Sequence, residues 1–274
     1  MKKGKLICGM ASILGAMLVS CSEISDFERP VADEGQQEGL LTLSLSSNTK
    51  FAGSTRAVTE SSYTNVENYT VVVTDKDGVE KMRCNGSEVA SKMPLTLSLG
   101  SYSVQAFYGT EHAYSRDEFY VFGETYGTIT ENKTETAEVV CTPTCGRIAV
   151  NFDDTMADYY SDYNVTFTGT EAMGTESITW LKSDSEPWYV KLKEEGETIT
   201  FAINTTVKDE YVNNEQQGDV KKGTFKLNRN KAYKMNISAN YTPTDLGDIK
   251  ITITIDERTN DKPVDIEVPI EWTR

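Results

Sequence analysis

Histidine is nearly absent, with His112 alone in 274 residues. A Ser-His-Asp or Cys-His mechanism would have to be run by that one imidazole. It sits in the stretch Gly-Thr-Glu-His-Ala between Tyr108 and Tyr114 and reads as an exposed loop residue. Missing as well are HExxH, GxSxG, a phosphate-cradling glycine loop and a dinucleotide fingerprint. The carboxylate pair of a glycosidase needs only spacing in three dimensions, and nothing among 42 acids selects such a pair. The sequence therefore nominates no catalytic residue and no cofactor. Cysteine is scarce too: of five, only Cys84, Cys141 and Cys145 follow Cys21, an odd count that argues against a disulfide framework. Cys141 and Cys145 would lie about 13 Å apart on an extended chain, too far for a bridge without a turn at Pro143. With one histidine they also make a poor zinc pair. Buried thiols come first in this reading, a Cys84 bridge to one of the others second, and metal a distant third.

Basic residues are in the minority, 27 Lys and Arg against 42 Asp and Glu, which disfavours nucleic acid and anionic membrane surfaces as partners. The acids are spread along the chain and read as a solvated surface. Long apolar runs are missing after residue 19. Before it, Lys2, Lys3 and Lys5 lead into a weakly polar to apolar run from Leu6 to Val19, a signal-peptide core too short to span a bilayer. The run ends in Leu18-Val19-Ser20-Cys21, which resembles the lipobox of bacterial lipoproteins. Cleavage is expected between Ser20 and Cys21, with lipid, palmitate included, on the Cys21 thiol, so that the chain is held on a membrane by its N-terminus. Losing three lysines leaves 24 bases against 42 acids, a formal charge of −18.

From Ser22 to Gly39 the chain carries six acids and few apolar residues, too few to bury. This reads as a tether that holds the body on the order of 25 Å from the lipid. After Gly39 apolar residues recur with period two, the pattern of strands with one wet face. Leu41, Leu43 and Leu45 begin the series. Tyr69, Val71 and Val73; Leu95, Leu97 and Leu99; and Tyr102, Val104 and Ala106 continue it, with turn signals at Asp77-Gly78, Asn85-Gly86 and Leu99-Gly100. A second series runs through Ile148, Val150 and Phe152; Tyr163, Val165 and Phe167; a short Phe201 and Ile203; and Tyr233 to Ala239. It closes with Ile249 to Ile255 and one long strand from Val264 to Trp272, whose Pro269 suggests an edge. No window carries a sustained helical stripe. The expected fold is all-β: two antiparallel sandwiches of immunoglobulin-like type. The expected divisions are a signal over 1–20, a tether over 21–39, and sandwiches over 40–144 and 145–274, with the boundary at the strand-breaking CTPTCG.

Smaller motifs read as structure first. Asp75-Lys76-Asp77-Gly78 starts like a calcium loop but lacks the downstream acid, so a hairpin turn is expected. Trp180, Trp188 and Tyr189, with Tyr159, Tyr160 and Tyr163, read as core or as a platform for sugar rings. Asp154-Thr155-Met156 resembles a short bacterial O-glycosylation acceptor, which makes Thr155 a candidate.

Two local signatures carry a wider resemblance. Ser54-Thr55-Arg56-Ala57, about thirty-five residues after Cys21, resembles the "TRA" segment of fimbrillin-related lipoproteins from Gram-negative gut and oral anaerobes. The run through Leu97, Leu99-Gly100, Tyr102, Ala106, Phe119, Tyr120, Phe122, Gly123 and Val139-Val140-Cys141 to Ile148, Val150 and Phe152 is similar to a lipoprotein domain of unknown function in the same bacteria. Cys145 and the lack of a proline beside the central aromatics depart from that pattern.

The resemblance implies transthyretin-like sandwiches serving as stalk, tip or anchor subunits. In such relatives a trypsin-like protease cuts the "TRA" arginine, the first strand leaves, and another subunit's strand fills the slot. On this chain that maps cleavage to Arg56-Ala57 and the removable strand to Leu40–Ser47, whereas anchor relatives stay lipidated and uncut. The function expected is a non-enzymatic surface lipoprotein, a fimbria-related pilus subunit, anchor or adhesin, with other fimbrial subunits and host or glycan ligands as partners. The alternative is a glycan-binding lipoprotein of a polysaccharide-uptake system. Glu23, Asp26 and Glu28 fit an acidic surface-export signal, which favours the outer face of the outer membrane. Cys21→Ser is expected to move the protein from the membrane pellet to the soluble fraction; a variant that still pellets would rule out lipid on Cys21.

Overall fold

A computed structural model describes residues 37–51, 59–211, 220–242, 248–259, 262–266 and 271–273. Residues from Gln37 onward form one compact unit. The first half contains β1 (Glu38–Ser47), β2 (Thr70–Asp75), β3 (Glu80–Asn85), β4 (Leu95–Ser98), β5 (Gly100–Tyr108), β6 (Tyr114–Ser115), β7 (Val121–Ile129) and β8 (Thr134–Pro143). Seven of these, all except β6, form a sheet in the order β3-β2-β5-β7-β8-β1-β4. The sheet folds over on itself at β7 and β8, which share only the pairs Val121↔Pro143 and Phe122↔Thr142. Gly123 permits the crossing, since a Cβ there would stand 2.7 Å from the Val140 carbonyl oxygen. Val71, Val73, Val104 and Val121 from one layer meet Leu41, Ala137, Val139 and Cys141 from the other in a single buried cluster.

Only Thr144 separates β8 from β9 (Cys145–Phe152). Next come β10 (Tyr160–Thr168), β11 (Ile178–Leu181), β12 (Trp188–Lys191), β13 (Glu197–Val207), β14 (Val220–Leu227), β15 (Ala232–Thr242), β16 (Asp248–Thr259), β17 (Lys262–Ile266) and β18 (Glu271–Thr273). They form a five-stranded sheet, β11-β10-β13-β14-β18, and a six-stranded sheet, β17-β16-β15-β9-β12-β6. Between these sheets lies a second cluster, built on Phe167, Trp180, Phe201, Phe225, Tyr233 and Met235. The alternation read from the sequence thus becomes sandwich packing, with inward positions buried and the intervening Thr, Ser and charged residues outside.

The two halves interlock. β6 comes from the first half but pairs with β12 in the six-stranded sheet. Tyr189 and Ala232, from the second half, are buried in the first cluster. The guanidinium of Arg116 lies over the rings of Trp188 (4.4 Å) and Trp180 (5.2 Å) and bonds Asp184 Oδ2 at 2.5 Å.

Two sequence expectations are corrected. The strand expected to run unbroken from Val264 to Trp272 is divided: β17 pairs with β16 and β18 with β14, in different sheets. Alternation by two looks the same for one strand as for two in succession, because it reports which face is buried and not which neighbour is bonded. Pro269 itself lies outside the described residues. The Phe201 and Ile203 segment, read as short, is the eleven-residue β13, bonded to β10 and β14. Its ends are rich in threonine, which suits strands while adding little to an apolar count. Phe201→Ala is expected to cost about 3–5 kcal/mol in urea unfolding, whereas Leu181→Ala, at a side chain 50 % exposed, should stay within about 0.5 kcal/mol.

Candidate functional site

The first strand and its exit are held by a set of polar contacts. β1 runs parallel to β8 over eight pairs, Leu40↔Thr134 to Ser47↔Cys141, and antiparallel to β4 over only four, Glu38↔Ser98 to Leu41↔Leu95. The amides of Leu40 and Asn48 donate to Lys133 O (2.9 Å) and Cys141 O (2.8 Å). Donors alternate along a parallel ladder, so the even-numbered residues bond β8, and the backbone of Leu43 and Leu45 faces the side where β4 has ended. Leu41 is fully buried; Leu43 and Leu45 are half-buried and pack on the same core with Val66, Val89 and Met93.

Past Ser47 the chain is clamped. Ser47 Oγ donates to Tyr63 O (2.8 Å), and Tyr69 OH donates to the same oxygen at 2.6 Å. Burial pushes the Tyr69 hydroxyl up to about 12, which keeps it a donor. Asn230, from the β14–β15 turn, grips the backbone from the other side: its Oδ1 accepts Lys50 N (2.7 Å) and its Nδ2 donates to Asn48 O (2.6 Å). Phe51 then enters a ring cluster with Phe119 (5.2 Å) and Tyr189 (5.7 Å), and Tyr63 stacks on Phe119 at 3.7 Å.

The chain is described again from Thr59, and Glu60 is at once 3 % exposed. Its Oε1 accepts the Tyr189 hydroxyl at 2.8 Å and lies 3.4 Å from Arg147 Nη1, while Oε2 has no partner. Burial raises the Glu60 carboxyl above its ordinary range, opposed by Arg147 and the Tyr189 bond. Both flanks of residues 52–58 are therefore fixed to the core. Such an arrangement can hold a strand or let it go. Nearby, burial lifts the Cys141 thiol to about 12 and the Cys145 thiol higher still, so both stay protonated.

Ser20, Cys21, Arg56 and Ala57 lie outside the described residues, as do the signal and most of the tether. Thr155 opens a short helix (Thr155–Tyr159); its hydroxyl donates to Asp153 Oδ1 (2.7 Å) and accepts Ala239 N (3.1 Å). His112 is a loop residue, 2.9 Å from Glu118 Oε1. Asp75 makes the hairpin turn, its Oδ1 accepting the amides of Asp77 and Val79. Cys84, Cys141 and Cys145 are free and buried. Among the described residues no group of three or more His, Cys, Asp or Glu side chains is placed to hold a metal ion, and no helix is long and apolar enough to cross a membrane.

The suggested aromatic platform is not assembled. Trp180 and Tyr189 are 1 % and 2 % exposed, and the ring of Trp188 is covered by Arg116. Sequence reasoning passed over Glu60 and Asn230. Asn230 has φ 56° in a turn, a conformation asparagine tolerates and the one available signal. Glu60 had none, its hydroxyl partner being 129 residues away.

A family model described as "Domain of unknown function (DUF4493)" matches residues 37–270. No curated protein matches the chain. Among solved structures, a fimbrial assembly protein from Parabacteroides distasonis is similar at 11 % identity and TM-score 0.42, over 85 % of this chain and 98 % of that one. The fimbrial anchor protein Mfa2 from Porphyromonas gingivalis is similar at 11 % identity and TM-score 0.39, over 82 % and 98 %. Likeness at this level bears on no function.

A raised Glu60 pKa means that the folded chain keeps this proton longer than the unfolded chain, whose carboxyl titrates near 4.5. Its contribution to stability is fullest below that pH and is lost as pH rises through the folded pKa. Glu60→Gln is therefore expected to gain stability relative to the parent as pH climbs from about 4 to 7, measured by urea unfolding. A difference that does not change with pH would refute this.

Proposed function

The chain belongs to the DUF4493 family, and we propose that it is a non-enzymatic, lipid-anchored component of cell-surface fimbriae, a pilus subunit, anchor or adhesin, displayed on the outer membrane. The observation that carries the reading is the placement of β1. It is the first described strand, it lies between β8 and β4, and it contributes a fully buried Leu41 to the core. Removing it would strip eight paired positions from β8 and open an apolar slot under Leu41, Leu43 and Leu45. An extended segment of another subunit with apolar residues at alternate positions would suit that slot, since it would restore both the ladder and the burial.

The lipobox at Leu18–Cys21 and the acidic tether support membrane display, and the "TRA" stretch at Arg56 supports processing beside this strand. Deleting the gene is expected to alter the protein profile or the cell retention of appendages sheared from the surface, and an unchanged profile would overturn the proposal. Immunoblotting membrane extracts without heating separates the roles. A ladder that collapses on boiling marks a strand-exchanging subunit, and a single lipid-bearing band marks an anchor or adhesin.

A further inference from the structure

The outer face of β5 and β7 carries a strip of side chains that the first core does not use. Tyr120 precedes β7 and shares its outward side with Phe122, Glu124 and Tyr126. At β-strand rise these positions span about 20 Å. Phe107 on β5 stands directly opposite Phe122, and Gln105 opposite Glu124.

Three of the rings form a group. Tyr120 and Phe122 are 6.2 Å apart with planes 20° from parallel, and Phe107 is 6.1 Å from Tyr120. None of the three is buried. Tyr126, further along, is 74 % exposed. A tyrosine this open on a sheet face already packed on its other side leaves apolar surface without an internal use.

Between the rings sits a polar node. Glu124 Oε1 accepts Ser103 Oγ and Gln105 Nε2, each at 2.8 Å. Those bonds, Gln105 first, and the Tyr126 hydroxyl hold the carboxyl below its ordinary range, so it stays ionised at neutral pH. A carboxylate offers about four acceptor sites, and Glu124 is exposed.

From this juxtaposition we infer that the outer face of β5 and β7 binds an uncharged glycan chain, with Tyr120, Phe122 and Tyr126 under the sugar rings and Glu124 accepting their hydroxyls. Sugars present apolar C–H faces and hydroxyl edges in alternation, which the strip matches ring by carboxylate by ring. A protein partner fits less well, because the centre of a protein interface is depleted in charge, whereas here an ionised carboxylate lies mid-strip. Charge decides the class of glycan. A fixed anion on a chain of net charge −15 repels uronic and sulfated polymers. The site is far in sequence from the first strand and needs no strand exchange, so it stands or falls apart from the fimbrial reading.

Isothermal titration of the full mature chain with neutral hexasaccharides of glucan, xylan and mannan tests the inference. At least one is expected to bind. Tyr126→Ala and Glu124→Gln, both at exposed positions, should each weaken it about 5- to 10-fold without moving the thermal midpoint. Absence of binding to any neutral hexasaccharide, or binding that both variants leave intact, overturns the site. So does binding confined to uronic or sulfated chains, loss that follows Trp188→Ala instead, or a captured protein whose binding depends on the same two residues while no sugar binds.

Discussion

The parallel pairing of β1 with β8 is the constraint on which the first half of the molecule turns. Parallel neighbours cannot be joined by a hairpin, and Thr42 and Thr136, whose hydroxyls touch at 2.9 Å, are 94 residues apart in the chain. The place of β1 is therefore defined by strands that follow it. The hairpin-linked β2 and β3, with the antiparallel β5 and β7, supply one wall, and β8 returns over the other at the Gly123 crossing. Only then does a position exist in which Leu41 can be buried. A strand held in this way by later elements, with its exit clamped by Asn230 from the second half, depends on the whole body for its hold.

A set of buried polar groups gathers where that strand leaves. Glu60, Tyr189, Arg147, Tyr63, Tyr69, Ser47 and Asn230 contact one another or nearby backbone there. Buried polar contacts add little net stability but are costly to leave half-made. They fix the course of a chain more than they deepen its energy well. The backbone on either side of residues 52–58 is specified in that manner.

The sequence made the faces of the strands legible and left their partners obscure. Alternation at Val71–Val73, Tyr102–Ala106, Ile148–Phe152 and Tyr163–Phe167 predicts which side chains are inside, because burial acts locally and with period two. The same alternation could not separate β17 from β18, nor show that Tyr114 and Ser115 would pair with Tyr189 and Val190, since pairing is a long-range choice. In the candidate site, β1 was readable as a strand from Leu41, Leu43 and Leu45. Its clamp was not, because Asn230 and Glu60 act through partners more than a hundred residues away. The rings on the outer face of β7 were visible as an aromatic stretch, but only the Phe107↔Phe122 pairing puts them on one surface.

The three buried thiols carry a consequence for the setting in which such a chain works. Cys84, Cys141 and Cys145 are free, and burial raises the pKa of each. Thiols kept protonated and out of water exchange poorly with disulfides and are slow to oxidise. Among the described residues the strands are thus held by register and core packing without a covalent cross-link, so a reductant has no bond between them to cut.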